Sequence, residues 1–268
     1  MGSKIFIKIQ GCVNMNKNKI KLLQGDCLEL MKKIPNKSID MILCDLPYGT
    51  SACKWDNIIS FEPLWEQYNR IIKDNGAIVL FANQPFTSKL IISNLNLYKY
   101  NWIWVKDNAT NFLNKKFQPG KITEDICVFG KMATSYSKNG NMKYHPQMEE
   151  GTPYKTTNNV KRRTNAVIRS NITNVVTDNK GTRYPNNVLY FNRDKDKIHP
   201  TQKPVALLEY LIKTYTNENE LVLDNCMGSG STGVACINTN RNFIGMELNE
   251  EYFAIAKERI ENHLKENN

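Results

Sequence analysis

A carboxylate, a backbone carbonyl and an aromatic ring stand together where one apolar run of the sequence stops. The apolar residues at 39–43 have no helical spacing and turn formers follow them, which predicts a buried strand. Pro47 offers no backbone N–H, and a glycine two residues later frees the chain to turn. Asp45, the Leu46 carbonyl and Tyr48 would then lie at the carboxyl end of a strand, where open α/β sheets bind ligands. Two acceptors beside a flat ring suit an amino group on a planar heterocycle. A strand that merely ends in a turn, with Asp45 as a helix cap, is the alternative.

A glycine-rich turn near the end of the chain predicts a second ligand site. An apolar strand at 220–223 leads to Asp224, followed by Gly228, Gly230 and the start of a helix. Glycines let the backbone approach a ligand, and free N–H groups favour a carboxylate or phosphate. Glu247 ends the next predicted strand, where nucleotide-binding sheets place an acid against ribose hydroxyls. No lysine follows Gly230, which disfavours phosphoryl transfer.

The elements that must position these residues alternate between strand and helix. Strands are predicted at 19–24, 39–45, 77–82, 100–105, 126–129, 220–223 and 242–247. Helices are predicted at 28–34, 61–74, 87–95, 205–215, from the glycine turn to 237, and at 251–264. Asp26 is placed to cap the first of these helices. This alternation indicates an α/β protein with a mainly parallel sheet covered on both faces.

Composition narrows the class of protein. The chain has 268 residues, 41% of them hydrophobic, which is enough for one large α/β domain or two small ones. No apolar run reaches the ~18 residues of a membrane span, and no secretory signal is recognised. The seven cysteines form no CxxC pair, which favours reduced thiols in a cytoplasmic protein. The three histidines lie far apart, so no metal site is predicted.

The net charge of +10 is concentrated in one segment. Residues 155–203 hold eleven basic and three acidic residues, interleaved with Asn, Thr and Tyr. Such a segment suits contact with nucleic-acid phosphates, although a charge run is also typical of a solvated face. The candidate phosphate contacts are Lys161, Arg162, Arg163 and Arg169. Residues 131–198 lack clear periodicity and are interpreted as an inserted recognition region, and residues 1–18 as a peripheral segment.

Three motifs in sequence order resemble those of the S-adenosylmethionine-dependent DNA amino-methyltransferases, in their circularly permuted β arrangement. Residues 45–48 resemble the catalytic motif (Asp/Asn/Ser)-Pro-Pro-(Tyr/Phe), and residues 224–230 resemble the cofactor turn Asp-Pro-Phe-x-Gly-Ser-Gly. Residues 199–204, His-Pro-Thr-Gln-Lys-Pro, match a third family segment nearly letter for letter. The departures are Leu46 in place of a proline and Asn225-Cys226 in place of Pro-Phe. Leu46 still supplies the carbonyl, whereas the usual phenyl contact with the cofactor is missing.

The resemblance implies a Rossmann-like methyltransferase fold with a catalytic domain at 19–130 and 199–268 and a target-recognition insert at 131–198. It implies methyl transfer to the N6 amine of a flipped-out adenine in double-stranded DNA, with no metal. A homodimer and a cognate restriction endonuclease are further implied partners. The implied catalytic residues are Asp45, Leu46, Pro47 and Tyr48. The implied cofactor contacts are Asp26, Cys27, Asp45, His199, Thr201, Gln202, Lys203, Asp224, Cys226, Gly228, Ser229, Gly230, Thr232, Glu247 and Leu248.

Three alternatives remain open. N4-cytosine methylation is the nearest, but the family leans to adenine when Asp occupies the first motif position, as Asp45 does. An RNA or protein-glutamine methyltransferase would place the cofactor turn before the catalytic motif, opposite to the order here. A nicotinamide-dependent dehydrogenase, or an inactive DNA-binding module, is the alternative from a different class; a dehydrogenase would open with Gly-x-Gly-x-x-Gly.

Overall fold

The computed structural model of the chain describes residues 12–15, 18–49, 57–158, 175–194 and 202–266. The strands are β1 (Cys12–Met15), β2 (Asn18–Gln24), β3 (Ile39–Asp45), β4 (Ile72–Ala82), β5 (Tyr98–Val105), β6 (Thr123–Phe129), β7 (Glu149–Glu150), β8 (Tyr154–Asn158), β9 (Val175–Asn179), β10 (Thr182–Arg183), β11 (Val188–Tyr190), β12 (Leu221–Asp224) and β13 (Asn242–Glu247). The helices are α1 (Cys27–Met31), α2 (Phe61–Ile71), α3 (Phe86–Ser93), α4 (Val205–Tyr215), α5 (Ser231–Asn238) and α6 (Glu250–Glu266), with one 3₁₀ turn at Phe112–Asn114.

A nine-stranded sheet organises the larger of two compact units, residues 1–145 and 187–268. Its strand order is β1-β2-β13-β12-β3-β4-β6-β5-β11. Strands β2, β13, β12, β3 and β4 are mutually parallel, and β6 pairs antiparallel with both β4 and β5. Because β6 is flanked by antiparallel partners, β5 runs in the same direction as β4. The carboxyl ends of β2, β13, β12, β3, β4 and β5 and the amino end of β6 therefore share one edge of the sheet.

Apolar side chains cover both faces of this sheet. In β3, Met41 and Leu43 belong to the hydrophobic cluster that includes residues of α4, α5 and α6. The intervening Ile42 and Cys44 belong to the opposite cluster, which includes residues of α1, α2 and α3. Strand side chains alternate between faces, so a strand buried on both faces reads as a continuous apolar run. The prediction of a mainly parallel sheet covered on both faces is confirmed.

Two predicted helices end earlier than the apolar pattern suggested. The helix predicted at 61–74 stops at Ile71, because Ile72 is extended and pairs with Ile39 of β3. Gly76 lies inside β4, where an added Cβ would approach the Asp40 carbonyl oxygen at 2.7 Å. The helix predicted at 28–34 is regular only to Met31 and continues as turns. Sheet pairing and tight turns override the helical period at these places.

The smaller compact unit is Pro146–Asn186. It contains two antiparallel pairs, β7 with β10 and β8 with β9. The recognition insert was predicted at 131–198, a wider range. Residues 131–145 group with the larger unit, and β11 pairs parallel with β5 at the edge of the nine-stranded sheet.

Candidate functional site

One edge of the nine-stranded sheet collects the predicted catalytic and cofactor residues. Asp26 follows β2, Glu247 ends β13, Asp224 ends β12 and Asp45 ends β3. These four strands are neighbours and run parallel, so their carboxyl ends lie side by side. The structure thus places the two predicted sites next to each other.

Asp45 lies at the centre of this edge with its carboxylate held from two sides. The Tyr48 hydroxyl donates to Asp45 Oδ1 at 2.6 Å, and the Lys203 ammonium group donates to Oδ2. The Asp45 side chain keeps 23% of its exposure, whereas the adjoining Leu46 is buried at 3%. Both carboxylate oxygens accept hydrogen bonds, which is the geometry of an ionised group. The motif therefore presents a fixed, charged acceptor at the end of β3.

Tyr48 is fixed through both ends of its side chain. The same hydroxyl oxygen lies 3.0 Å from Glu124 Oε1, so its one hydrogen is shared between two acceptors, with the shorter contact to Asp45. Its ring contacts Phe86, with centroids 5.0 Å apart and planes inclined by 32°. The ring orientation beside Asp45 is consequently set by three contacts before any ligand arrives.

Glu124 completes a buried group of charges that the sequence analysis missed. Its side chain is 3% exposed and lies 2.6 Å from the Lys106 Nζ and 3.1 Å from the Lys203 Nζ. Glu124 is the second residue of β6, a strand that was predicted to belong to a parallel sheet. In a parallel sheet the amino end of that strand would lie at the far edge from Asp45. The antiparallel direction of β6 brings Glu124 to the catalytic edge. The acidic pair at 124–125 ahead of a buried strand was the available signal.

The titratable side chains of this group shift one another's pKa values. Burial raises the pKa of Asp45, against the attraction of Lys203. Burial acts in the same sense on Glu124, but the ammonium groups of Lys203 and Lys106 outweigh it and hold the pKa of Glu124 below its ordinary value. Burial would lower the pKa of Lys203, but Asp45 and Glu124 outweigh it and raise that pKa. Burial, and then the two carboxylates, raise the pKa of Tyr48 well above its usual range, so the phenol stays a donor. The group brings together the carboxyl groups of Asp45 and Glu124, the side-chain nitrogens of Lys106 and Lys203, and the phenol of Tyr48.

The glycine turn after β12 is shaped by Asp224. Its Oδ1 accepts from the Cys226 N–H at 3.0 Å and its Oδ2 from the Thr232 hydroxyl at 2.6 Å. Burial raises the pKa of Asp224 to about 6. Gly230 has a φ of +78°, and a Cβ there would lie 3.0 Å from Ile260 of α6, so only glycine fits. Asp224 therefore holds the turn, and the turn packs directly on α6.

Glu247 reaches back to the same turn. Its Oε2 accepts from the Gly228 N–H at 3.0 Å and its Oε1 from the Asn249 N–H at 2.9 Å. Burial raises the pKa of Glu247, against these backbone bonds. The neighbouring Asp26 is exposed and caps α1, with Oδ1 accepting from the Leu28 N–H at 2.8 Å. The predicted capping role of Asp26 is confirmed, and its cofactor contact stays a prediction.

The two substituted positions of the cofactor motif lie inside the protein. Asn225 is 2% exposed and accepts from the Tyr68 hydroxyl at 2.6 Å. Cys226 is half-buried, whereas Cys27 and Cys44 are buried. All three are free thiols, as predicted. Asn225 thus ties the turn to α2 by a hydrogen bond.

The remaining predicted residues differ in what the structure says of them. Lys203 is buried and is bonded to carboxylates, and Gln202 donates to Asp194 at 2.9 Å. Ser229 is buried in the glycine turn, Thr232 is buried in the first turn of α5, and Leu248 is 67% exposed beside Glu247. The predicted sites that lie outside the described residues are His199, Thr201, Lys161, Arg162, Arg163 and Arg169.

Across the described ranges, no helix is both long and apolar enough to span a membrane. Among the same residues, no three or more His, Cys, Asp or Glu side chains are grouped to hold a metal ion.

Known proteins with similar sequences are DNA-modifying enzymes. The family model described as DNA methylase, for N6 and N4 methyltransferases, matches residues 39–258. The type II methyltransferase M.HpaI of Haemophilus parainfluenzae is 30% identical over 254 residues, covering 90% of this chain and 74% of its own. M1.MboII of Moraxella bovis is 31% identical, covering 87% of this chain and 93% of its own. The DNA adenine methyltransferase YhdJ of Escherichia coli is 29% identical, covering 90% of this chain and 82% of its own.

Solved structures share the fold. The M1.HpyAVI–SAM complex superposes with a TM-score of 0.58 at 25% identity, covering 90% of this chain and 99% of that one. The PvuII DNA methyltransferase, which is cytosine-N4-specific, superposes with a TM-score of 0.62 at 16% identity, covering 93% of each chain. The predicted Rossmann-like methyltransferase fold is confirmed by these neighbours.

Proposed function

This chain belongs to the DNA methylase family of N6 and N4 amino-methyltransferases, and from that membership we propose that it methylates the N6 amine of adenine in duplex DNA. The donor proposed is S-adenosylmethionine, which a structural neighbour at 25% identity binds. The observation that carries the proposal is the Asp45 carboxyl group at the end of β3, held by Tyr48 and Lys203 and next to the glycine turn.

Asp45 and the Leu46 carbonyl act as the acceptors for the target amine. An adenine N6 amine is a poor nucleophile because its lone pair is delocalised into the ring. When Asp45 and the Leu46 carbonyl accept hydrogen bonds from its two N–H groups, the nitrogen moves towards tetrahedral geometry. Its lone pair is then less delocalised into the ring. The positive charge that develops on the nitrogen is stabilised by the same acceptors, which are in place before the reaction.

Tyr48 supplies the surface for the extruded base. A base inside a duplex is inaccessible, so it must be flipped out and held by stacking. The Tyr48 ring is held by its contact with Phe86 and by its hydroxyl, which lies between Asp45 Oδ1 and Glu124 Oε1. A ring that is already oriented loses little entropy when the base stacks on it.

The glycine turn and Glu247 fit the proposed cofactor. A Cβ placed at Gly228 would meet no atom within 4 Å, so the backbone there borders open space. The Glu247 carboxylate adjoins it and suits ribose hydroxyls, and Asp26 and Cys27 are proposed for the adenine. When bound, S-adenosylmethionine supplies an electrophilic methyl group on sulfur. The chain's own residues bind, orient and accept hydrogen bonds. The remaining cofactor contacts, with Lys203 and Thr201 at the methionine end, stay predictions.

N4-cytosine methylation is the alternative within the family, since a structural neighbour is cytosine-N4-specific. The same two acceptors would serve either amine. Asp at the first motif position supports adenine, as do relatives such as the adenine methyltransferase YhdJ.

Methylation of unmodified DNA by the purified chain, followed by base-resolution mapping, tests the proposal. We expect N6-methyladenine at one recurrent sequence, dependent on S-adenosylmethionine. N4-methylcytosine would select the alternative, and no modified base would contradict both.

Glu247→Ala is expected to weaken S-adenosylmethionine binding by ~1–3 kcal/mol, because a charge-assisted hydrogen bond to the ribose is lost. Calorimetric titration measures this. Glu247→Gln is the control, since it keeps the shape and an oxygen for the Gly228 N–H while removing the charge. Wild-type affinity in Glu247→Ala would make Glu247 only a brace for the turn.

The basic segment is proposed to contact phosphates. Replacing Lys161, Arg162, Arg163 and Arg169 by Ala should weaken duplex binding and flatten its dependence on salt, because fewer counterions are released. Alanine at Lys32, Lys33, Lys213 and Lys265 is the control, which removes equal charge from exposed positions near the opposite edge of the sheet. Anisotropy titrations at several salt concentrations measure both sets. Equal slopes in the two sets would place the phosphate contacts elsewhere.

Other assignments also remain proposals. The catalytic domain at 19–130 and 199–268 with a target-recognition insert at 131–198 is one. A homodimer, a cognate restriction endonuclease and a cytoplasmic location are the others, the last two being typical of restriction-modification relatives.

A further inference from the structure

A loop at the catalytic edge exposes two large apolar side chains. Residues 108–121 connect β5 to β6, and we call them the 108–121 loop. Leu113 is 87% exposed and Phe117 is 89% exposed. Lys115 and Lys116 lie between them in sequence. Large apolar groups rimmed by charge mark an interaction site more often than a chance surface.

The loop is braced by its own backbone. The Lys106 N–H donates to the Ile122 carbonyl at 2.7 Å, and the Thr110 N–H donates to the Lys121 carbonyl at 3.0 Å. Asn111 spans the loop, accepting from the Lys121 N–H at 2.6 Å and donating to the Pro119 carbonyl at 3.0 Å.

The tip is ordered as well. The Asn114 N–H donates to the Asn111 carbonyl at 3.0 Å, and the Phe117 N–H to the Asn114 carbonyl at 2.9 Å. The exposed apolar pair is therefore presented on a shaped tip, so little conformational entropy is lost when it meets a partner.

The two ends of the loop lead to the buried charged side chains beside Asp45. Lys106 precedes the loop and Glu124 follows it, and their side chains form the 2.6 Å ion pair beside Lys203. Since β5 runs parallel to β4 and β6 antiparallel, the loop emerges at the edge where Asp45 lies. A duplex that brings a base to Asp45 therefore approaches the edge from which this loop emerges.

The charge of the loop selects the partner. Residues 108–121 contain three lysines and no acidic residue. A basic tip suits a polyanion, and apolar side chains beside lysines suit the stacked bases of that polyanion. A protein partner would satisfy the apolar pair but would gain nothing general from the three lysines of the loop.

We infer that the 108–121 loop is a DNA wedge, in which Lys115 and Lys116 contact phosphates while Leu113 and Phe117 enter the base stack next to the target nucleotide. This rests on the proposed function, since it assumes duplex DNA as the substrate. The apolar pair fills the space that the extruded base leaves and slows its return. Extrusion costs unstacking free energy, and an inserted apolar side chain recovers part of it.

The test compares Leu113→Ala/Phe117→Ala with Ile92→Ala/Leu95→Ala. The control pair removes apolar groups of similar exposure, 70% and 61%, from the end of α3 and the turn that follows it. Because β5 begins just after this turn, the control pair lies near the opposite edge of the sheet. Single-turnover methylation is measured on a matched duplex with the mapped site and on the same duplex with a mismatch opposite the target adenine. 2-Aminopurine at the target position reports extrusion by its fluorescence.

The wedge variant should methylate the matched duplex at least about tenfold more slowly than the control. On the mismatched duplex most of that loss should disappear, because the base is already unpaired. The 2-aminopurine signal should fall with the matched rate. Equal losses on both duplexes, or none, would overturn the wedge. A changed oligomeric state at unchanged methylation would instead assign the apolar pair to a protein interface.

Failure of the proposed function is a separate result. If the wild type methylates no DNA, binding to a short duplex still decides the inference, through Lys115→Ala/Lys116→Ala and the wedge variant. Weaker binding in both, with Tm equal to the control, supports a DNA-contacting loop. Binding equal to that of the wild type overturns it.

Discussion

Asp45→Ala is expected to slow the chemical step of methyl transfer by ~10²–10³-fold, which corresponds to ~2.7–4 kcal/mol. The substitution keeps β3, the turn and the Leu46 carbonyl, and removes the charged acceptor that faces the target amine. Because this acceptor acts mainly in the transition state, kcat should fall more than substrate binding does. Single-turnover transfer of a labelled methyl group measures the step directly. DNA affinity should survive, since phosphate contacts supply most of it.

Tyr48→Phe and Tyr48→Ala are the matched variants for this result. Tyr48→Phe keeps the ring but removes the hydroxyl that lies between Asp45 and Glu124. Tyr48→Ala also removes the stacking surface, for which ~1–3 kcal/mol is the expected scale. We expect base extrusion to suffer in Tyr48→Ala and far less in Tyr48→Phe. Near wild-type transfer by Asp45→Ala would refute the proposed mechanism.

Glu124→Gln is expected to lower the free energy of unfolding by about 3–5 kcal/mol, because it leaves two buried ammonium groups facing one carboxylate. Urea unfolding measures the change. Glu29→Gln is the control, since it breaks an ion pair with Lys32 in which both side chains are 57% exposed, and it should shift stability far less. The double variant Glu124→Gln/Lys106→Met restores neutrality and should recover part of the loss. A Glu124→Gln protein as stable as Glu29→Gln would contradict the charge balance described here.

The dependence on pH has a definite sign for Glu124. Its pKa is lowered in the folded chain, so the stability it contributes is present above its unfolded pKa of about 4.3 and is lost as pH falls through the lower folded value. Asp45 acts in the opposite direction because burial raises its pKa. Acid unfolding of wild type and Glu124→Gln should converge below pH 4.3, and parallel curves down to acid pH would show that Glu124 is not the group involved.

Local patterns predicted most of the catalytic edge. Asp45, Asp224 and Glu247 each end an apolar run that predicts a buried strand, and parallel strands bring such ends together. The helix cap formed by Asp26 was predicted from its position just before a short helix. These features depend on neighbours in sequence, which a single chain displays.

The rest depends on pairing between distant segments. The direction of β6 is decided by its partners β4 and β5, and with it the position of Glu124. The end of α2 is decided by the pairing of Ile72 with Ile39, against a helical pattern that continued to residue 74. Strand β11 lies in a segment without periodicity and finds its place only beside β5. These strand directions and helix ends are set by contacts between residues far apart in sequence, which a short stretch of sequence does not show.

The contact between Lys203 and Asp45 makes the arrival of the target base an exchange of donors. Each oxygen of Asp45 already accepts one hydrogen bond, and an amine that approaches along the direction of the Lys203 bond replaces that donor. If Lys203 is the donor replaced, its ammonium group keeps a partner, because Glu124 Oε1 lies 3.1 Å away. The exchange would then leave no buried charge without a partner, so its free-energy cost would be small although Lys203 and Glu124 are buried. Lys203 would thus occupy the hydrogen-bonding position of the substrate amine until the base arrives. The Asp45 side chain would then keep one orientation with and without the substrate.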